Sequence, residues 1–313
     1  MKYWDPLWGE IEAEAVKARN NKLVKTFETY KKDPQSILRT RKKLRNFTII
    51  GFVLSLMLIL LLPDIAIELP WFFFLPAVIP LALLLNFNAS LRAHAADLTN
   101  GFLAAKQGWL YEGGEDKERG HQLTQAFKVF SIGNPKSQII EDQFWGNFKE
   151  AEKTTPFWWA VFRFTVGSGK TRKSFRQEVL ALRLARSLEQ KLYISPEKSG
   201  LFSRRDIQTE WHEFNKAFRI ESLAEVEGGS AKSLEVLSPA VQRAVMELKN
   251  KYGDFCLQFH GDVVLIRIRE PQEQKYFTNL EKGGEIDERD VERVETKIRD
   301  LLGLCHEILR FLD

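Results

Sequence analysis

Two runs of uncharged, mostly apolar residues restrict what this 313-residue chain can fold into more than any other feature. Residues 47–62 form the first run and residues 69–85 the second, and the connection between them carries the charges of Asp64 and Glu68. A helix needs roughly 17–25 apolar residues to cross a bilayer. The two runs therefore predict a two-helix transmembrane hairpin. The alternative is a buried helical hairpin in a soluble protein, but the first run has no polar face to place in water.

The basic residues beside the first run predict the orientation of this hairpin. Five of the seven residues at 39–45 are Lys or Arg, whereas the connection at 63–68 contains neither. Basic segments close to a span resist translocation, so they stay in the cytoplasm. Both chain termini are therefore expected on the cytoplasmic side. The flanking basic residues are Arg39, Arg41, Lys42, Lys43 and Arg45.

Residues 1–46 form a basic arm ahead of the first span, with twelve Lys or Arg residues against six Asp or Glu residues. Asp5-Pro6 and Asp33-Pro34 are helix start signals, because a capping Asp precedes a Pro suited to the first helical position. They predict a helix over 6–32 and a second helix that continues into the first span. The arm is expected either to bind anionic lipid or to pack, as a solvated helix, on the soluble part of the chain.

The chain after the hairpin alternates short apolar segments with turn residues, which predicts an α+β domain with antiparallel strands. A helix over 88–107 is expected to end at Gly108. Short strands are expected on either side of a polar loop, and two longer strands are expected after them. The short strands are at 109–111 and 126–132, the loop at 112–121, and the longer strands at 157–166 and 174–182, joined by residues 167–170.

The last third of the chain predicts another hairpin between two helices. A helix begins at Pro239 and ends before Gly253, and residues 255–268 form the hairpin. The apolar residues from Val291 to Leu312 follow the 3-4 spacing of a helix. Their stripe is wider than a coiled-coil seam, which favours packing on the 255–268 hairpin over dimerisation.

The predicted fold class is α+β, and the predicted elements divide the chain into four segments. They are a basic cytoplasmic helical arm at 1–46, a transmembrane hairpin at 47–87 with spans at 47–62 and 69–87, a helix with an antiparallel β domain at 88–194, and an α+β part with a long terminal helix at 195–313.

The sequence Gly-Ser-Gly-Lys-Thr at residues 167–171 resembles part of a phosphate-binding loop. Such a loop needs a Gly where this chain has Phe164, so that the backbone can wrap around the phosphates. Strands are predicted on both sides of it, with no helix N-terminus to receive a phosphate. We therefore predict a β-hairpin turn here, not a nucleotide site.

The histidines and cysteines show no ligand spacing. Zinc sites need clustered nitrogen and sulfur ligands, which the five His and two Cys residues do not form in sequence. No nucleophile–base pair and no pair of catalytic carboxylates stands out. No catalytic residue, cofactor or metal is therefore predicted, and Cys256 and Cys305 are interpreted as buried inert thiols.

The hairpin at 157–182 carries the most basic part of the chain. Residues 156–205 contain eleven Lys or Arg against three Asp or Glu. A four-residue connection would place Phe164 opposite Lys173 and Phe162 opposite Phe175, leaving the other face basic. This face is interpreted as a surface for anionic lipid headgroups, a nucleic acid or an acidic protein, or else as the ordinary wet face of a half-buried sheet. The candidate residues are Arg163, Arg172, Arg176, Lys170, Lys173 and Trp159.

The order of motifs over about residues 40–313 resembles the bacterial two-pass membrane proteins grouped as "domain of unknown function 3137". The resemblance implies a cytoplasmic α+β domain on an inner-membrane anchor, and it implies no activity and no catalytic residues. The motifs that carry it, behind the predicted hairpin, are at residues 166–172, 179–183, 214–220, 234–239 and 255–268.

These features predict a membrane-anchored cytoplasmic interaction or scaffold module of a bacterial inner membrane. The lipid bilayer and an unidentified protein are the expected partners, with anionic lipid favoured over nucleic acid. The rival hypothesis is an enzyme that acts on lipid or envelope precursor at the membrane surface, with active-site groups scattered along the sequence. A deep pocket with convergent His, Asp or Glu residues would favour the enzyme.

Overall fold

A computed structural model describes seven stretches of the chain. They are residues 13–32, 35–61, 70–150, 153–197, 207–223, 235–268 and 288–312. The chain divides into two compact units, of which the first is built around a β-sheet and the second is helical in its described part. The sheet unit comprises residues 1–20, 103–274 and 293–313, and the helical unit comprises 21–102 and 275–292.

The described helices and strands follow one another in an α+β order. The helices are α1 (Ala13–Lys32), α2 (Gln35–Leu61), α3 (Pro70–Gln107), α4 (Lys117–Ala126), α5 (His212–Ala217), α6 (Pro239–Tyr252) and α7 (Glu288–Arg310). The strands are β1 (Leu110–Asp116), β2 (Ile139–Glu150), β3 (Lys153–Val166), β4 (Lys173–Arg183), β5 (Leu192–Pro196), β6 (Phe218–Ser222), β7 (Phe255–His260) and β8 (Val263–Ile268).

The helical predictions for the first hundred residues are confirmed where the structure describes them. The helix predicted over 6–32 is present from Ala13, and its first residues lie outside the described part. Helix α2 runs without a break from Gln35 into the first apolar run. Helix α3 continues to Gln107, and Gly108 follows it with a φ of 68°.

Helices α2 and α3 cross at a point where small residues let their backbones meet. A Cβ built on Gly51 would overlap the carbonyl oxygen of Pro76 and lie 2.7 Å from its carbonyl carbon. Ser55 and Ala77 beside this point are also buried. Since Pro80 has no N–H, the Pro76 carbonyl has no helical hydrogen-bond donor four residues on. The glycine Cα–H therefore faces an oxygen that the helix leaves unsatisfied.

One described helical stretch, Lys42–Leu61 in α2, is long and apolar enough to cross a membrane by length and composition. The apolar part of α3 that the structure describes, Phe74–Asn86, is shorter than that requirement. The predicted start of the second span at residue 69 lies outside the described residues. Most large apolar side chains of both stretches are exposed, including Leu60 at 73% and Leu85 at 61%.

The eight described strands form one antiparallel sheet in the order β1-β2-β3-β4-β8-β7-β5-β6. Every residue of β7 and of β8 is buried, as are residues 157–162 of β3. In a strand, neighbouring side chains point to opposite faces, so a continuous buried run means that both faces are covered. The alternative interpretation of one hairpin face as the wet face of a half-buried sheet therefore does not hold for residues 157–162.

Helix α4 and the 3₁₀ turn Lys128–Phe130 cover one face of the sheet. Phe130 packs edge-on against Phe162 of β3, with ring centroids 5.1 Å apart. Leu123 and Phe127 join the same core, as does Trp158 of β3. This half of the core is aromatic, which stabilises it by large buried apolar areas.

The C-terminal helix lies on the opposite face within the sheet unit. Lys297 of α7 forms an ion pair with Glu178 of β4 at 2.5 Å, and His306 contacts the Phe148 ring of β2. Its apolar stripe is buried, from Ile298 at 1% exposed to Leu309 at 0%. This burial agrees with the prediction that the stripe packs within the chain.

Two predictions for residues 112–132 are wrong. The segment predicted as a polar loop at 112–121 contains the end of β1 and the start of α4, and the segment predicted as a strand at 126–132 contains a 3₁₀ turn. Asp116 is the physical reason, because its side chain accepts a hydrogen bond from the Arg119 N–H at 2.8 Å and caps α4.

The predicted register of the β3–β4 hairpin is wrong by two residues. Phe164 lies opposite Phe175, not Lys173, and Phe162 lies opposite Gln177. The cause is a loop of six residues, which includes a 3₁₀ turn, in place of the expected four. A shift of two residues preserves the alternation of faces, so the predicted grouping of residues by face survives the error.

Placing a charge in the buried stripe of α7 tests whether this helix is part of the core. We expect Leu301→Asp to lower the free energy of unfolding by about 3–5 kcal/mol, because it removes apolar contacts and buries an unpaired carboxylate. Thr296→Asp on the exposed side of α7 is the matched control and should change it by less than about 0.5 kcal/mol. Thermal or chemical denaturation measures both. A folded Leu301→Asp protein that merely changes from dimer to monomer would contradict this packing.

Candidate anionic-surface site

The β3–β4 hairpin ends in a loop that the chain holds in one shape. Gly167 takes a φ of 84°, where a side chain is strained, and the Thr171 hydroxyl donates to the Ser168 carbonyl at 2.8 Å. A neighbouring loop supports the base of the hairpin, since the Asn134 N–H donates to the Thr165 carbonyl at 2.7 Å. The Asn134 side-chain amide donates to the Gly167 carbonyl. These bonds join two loops that are more than thirty residues apart in sequence.

Four basic side chains are exposed on these two loops. Lys170, Arg172 and Lys173 belong to the hairpin loop, and Lys136 belongs to the supporting loop. Within the described part of the chain, none of the four forms an ion pair. Val166 beside them keeps 42% of its surface exposed. We call these five residues the basic tip.

The structure neutralises the other two predicted arginines of the hairpin. Arg163 and Arg176 lie opposite one another in register. Both donate to the buried carboxylate of Glu141 on β2, Arg163 through Nε at 2.5 Å and Arg176 through Nε at 2.8 Å. Arg163 also pairs with Glu115 of β1. These two arginines belong to an internal charge cluster and are not part of the basic tip.

Trp159, predicted on the same face as these arginines, is buried, and so is Glu178. The Trp159 ring packs edge-on against Phe144 with centroids 5.4 Å apart, and the side chain is 4% exposed. Glu178 pairs with Lys297 of α7. Among residues 157–182 of the hairpin, the exposed cations outside the Glu141 cluster are therefore at the loop and the start of β4.

Glu141 of β2 lies beside the arginines, next to a β-bulge. The pairing of β2 with β3 shifts between Glu141 and Phe144, and Asp142 within the shift takes a φ of 49°. The bulge puts Glu141 and Phe144 on one face although they are three residues apart. Glu141 was missed because no strand was predicted over residues 139–150.

Removing the Glu141 charge tests this internal cluster. We expect Glu141→Gln to lower the free energy of unfolding by about 1–3 kcal/mol, because two partly buried guanidinium groups lose their shared acceptor charge. Arg172→Gln on the basic tip is the control, since an exposed charge contributes little to stability. Denaturation curves for both variants measure the difference. Equal stability of the two variants would show that Glu141 is not needed to hold the arginines.

The described residues do not assemble a catalytic or metal site from the predicted candidates. Among them, no group of three or more His, Cys, Asp or Glu residues could hold a metal ion. His260 lies in β7 beside Phe127, and His306 lies in α7 against Phe148. Burial and the nearby Lys191 lower the pKa of His260 to about 4. Burial raises the pKa of the Cys305 thiol well above its usual range.

The lowered pKa of His260 predicts a dependence of stability on pH. The unfolded chain binds the proton at a pKa of about 6.5, so stability is fully present above that value and is lost as the pH falls toward about 4. We expect His260→Gln to weaken this loss by on the order of 3 kcal/mol between the two pH values. Denaturation at a series of pH values measures it. Parallel stability curves for the two proteins would contradict the assignment.

Comparison with known proteins adds no relative. No family model, no curated protein and no solved structure matches this chain. The resemblance to the "domain of unknown function 3137" proteins therefore stays a prediction from sequence.

Proposed function

We propose that the chain is a membrane-anchored interaction module, held in the bilayer by α2 and α3, whose basic tip binds anionic lipid headgroups. The observation that carries this proposal is the exposed apolar surface of α2, where Phe47, Phe52 and Leu60 are each more than half exposed. Such a surface is unfavourable in water by about 25 cal/mol for each Å². In a bilayer the same surface contacts lipid tails, and its exposure costs nothing.

The crossing of α2 with α3 supports two spans instead of one. Small residues at helix crossings allow the close approach that stabilises helices in lipid, where the hydrophobic effect does not join them. Gly51 and Ser55 are spaced four residues apart at the crossing. Proline is tolerated in a bilayer when a neighbour satisfies the carbonyl it frees, and Gly51 faces the Pro76 carbonyl. We therefore propose that residues 70–86 form the second span beside α2.

The proposed topology is two-pass, in a bacterial inner membrane, with both termini in the cytoplasm. Four described basic residues at the cytoplasmic end of α2 are exposed and would lie among the headgroups: Arg39, Lys42, Lys43 and Arg45. Residues 62–69 would then face the periplasm.

Labelling with an impermeant thiol reagent tests this topology. We expect Ile67→Cys to react in intact cells and Ser168→Cys on the β3–β4 loop to react after the cells are opened. The unmodified chain, which retains Cys256 and Cys305, provides the labelling background for both variants. Labelling of Ser168→Cys in intact cells, or protection of Ile67→Cys, would contradict the topology.

Three properties of the basic tip favour anionic lipid as its ligand. Its four cations have no competing ion pair within the described chain, and each basic residue near an anionic membrane surface contributes about 1 kcal/mol to binding. Val166 supplies an exposed apolar contact among them. A covalent anchor in the same chain keeps the tip at a high effective concentration near headgroups.

Charge removal at the tip tests this role. The full chain, held in nanodiscs of neutral lipid, is mixed with anionic vesicles and sedimented. Changing Lys170, Arg172 and Lys173 together to Gln should weaken vesicle binding by at least about tenfold, with the melting temperature nearly unchanged. The matched control replaces exposed cations elsewhere on the sheet unit, which should leave binding unchanged: Lys117→Gln, Lys216→Gln and Arg243→Gln.

Two results would overturn the lipid assignment. Equal vesicle binding by the tip variant and the wild type would show that the tip is only a solvated surface. Binding of double-stranded DNA or RNA that depends on the three tip residues, without vesicle binding, would assign the tip to nucleic acid instead.

A further inference from the structure

Arg267 on β8 is a buried cation without a carboxylate partner among the residues that the structure describes. Its side chain is 6% exposed, and its Nε has no hydrogen-bond partner. One guanidinium nitrogen donates to the Gln177 side-chain oxygen at 2.6 Å, which is a neutral acceptor. A guanidinium cannot lose its proton in a protein, and a buried charge is costly unless it is paired.

The other guanidinium nitrogen of Arg267 lies 3.2 Å from the Cys256 sulfur. The two residues are direct partners in the pairing of β7 with β8, so the strands fix this contact. Tyr193 of β5 is the second acid beside them. Burial and the neighbouring Cys256 raise the pKa of Tyr193, so the phenol keeps its proton at neutral pH. Cys256 is then the neighbour whose sulfur accepts from the Arg267 guanidinium.

Other charged groups around this cluster are already paired. Lys128, whose ammonium lies over the Tyr193 ring, pairs with Glu221 of β6. Arg219 of β6 also lies within 3.4 Å of Glu221. Two other cations therefore engage the Glu221 carboxylate. Within the described chain, the hydrogen bonds of the Arg267 side chain go to Gln177 and Cys256.

We propose that Cys256 is a reactive thiol, hydrogen-bonded to the Arg267 guanidinium, that a hydroperoxide oxidises to a sulfenic acid. The sulfur attacks the terminal oxygen of the hydroperoxide, and an S–O bond forms as the O–O bond breaks. Sulfur is oxidised by two electrons, the hydroperoxide is reduced to water or an alcohol, and the thiol proton ends on the leaving oxygen. The sulfenic acid stays within hydrogen-bond reach of Arg267.

The second cysteine of the chain provides an internal comparison. Cys305 in α7 is 0% exposed and burial raises the pKa of its thiol, whereas Cys256 retains 9% of its surface and contacts a cation. A thiol beside a cation is the more reactive kind, and an apolar buried thiol is inert. The sequence-based interpretation of both cysteines as buried is confirmed, and the proposal departs from their interpretation as inert at Cys256 alone.

Mass spectrometry of the full chain in detergent tests the proposal. The protein is treated at neutral pH with hydrogen peroxide followed by a dimedone probe, or with iodoacetamide alone. We expect Cys256 to be modified at least about tenfold faster than Cys305, and Arg267→Gln to slow Cys256 by about tenfold. Arg267→Lys keeps a positive charge and should retain most of the reactivity.

Cys305 also reports whether each variant stays folded, because unfolding would expose it to the reagents. If Arg267→Gln unfolds, two other comparisons of modification rates test the proposal. One compares Cys256 in Arg267→Lys with Cys256 in the wild type, and the other compares Cys256 with Cys305 in the wild type. Equal, slow modification of both cysteines in the folded wild type would overturn the proposal. Fast modification of Cys256 that a folded Arg267→Gln variant leaves unchanged would overturn it too, since exposure alone would then explain the rate.

Discussion

The exposed apolar surface of α2 and α3 is the constraint on which the account of this protein rests. In a soluble protein, a helix buries its large apolar residues in a core. Here α2 and α3 bury the small residues of their crossing against each other, and Phe52 and Leu60 are exposed. A bilayer removes this conflict, and it also explains a helix that retains Pro76 and Pro80. Under the proposed function, a bilayer is the environment in which the sequence of the helical unit is consistent with its fold.

In the sheet unit, strands that are covered on both faces still carry charged side chains. Glu141 is shared by Arg163 and Arg176, and Glu178 is matched by Lys297. Each buried carboxylate is therefore paired with at least one cation, which offsets the cost of removing its charge from water. The basic tip lies beyond this covering, so its cations stay available to a ligand. Arg267 is a further buried cation of the sheet unit, and the proposed reactivity of Cys256 rests on the contact between these two residues.

Local signals in the sequence predicted much of this fold. Ser238 accepts from the Val241 N–H and caps α6, and the apolar alternation of β3 and β4 located both strands correctly. Features that depend on distant residues were missed. The pairing of β2 with β3 places Glu141 beside two arginines, and a contact between two loops brings Lys136 to the tip. Both depend on residues distant in sequence, which no local pattern encodes. For the same reason the sequence identified the cations of the site but not which of them are neutralised.

Alkaline carbonate extraction of cell membranes tests the central claim most directly, because it releases proteins bound by surface charge and retains those that span the bilayer. The account predicts that the full chain stays in the membrane pellet after carbonate and high-salt washes and enters the supernatant only with detergent. It predicts the same for a chain in which Lys170, Arg172 and Lys173 are changed to Gln, since the tip is not the anchor. Release of the wild-type chain by carbonate would show that α2 and α3 do not span a membrane.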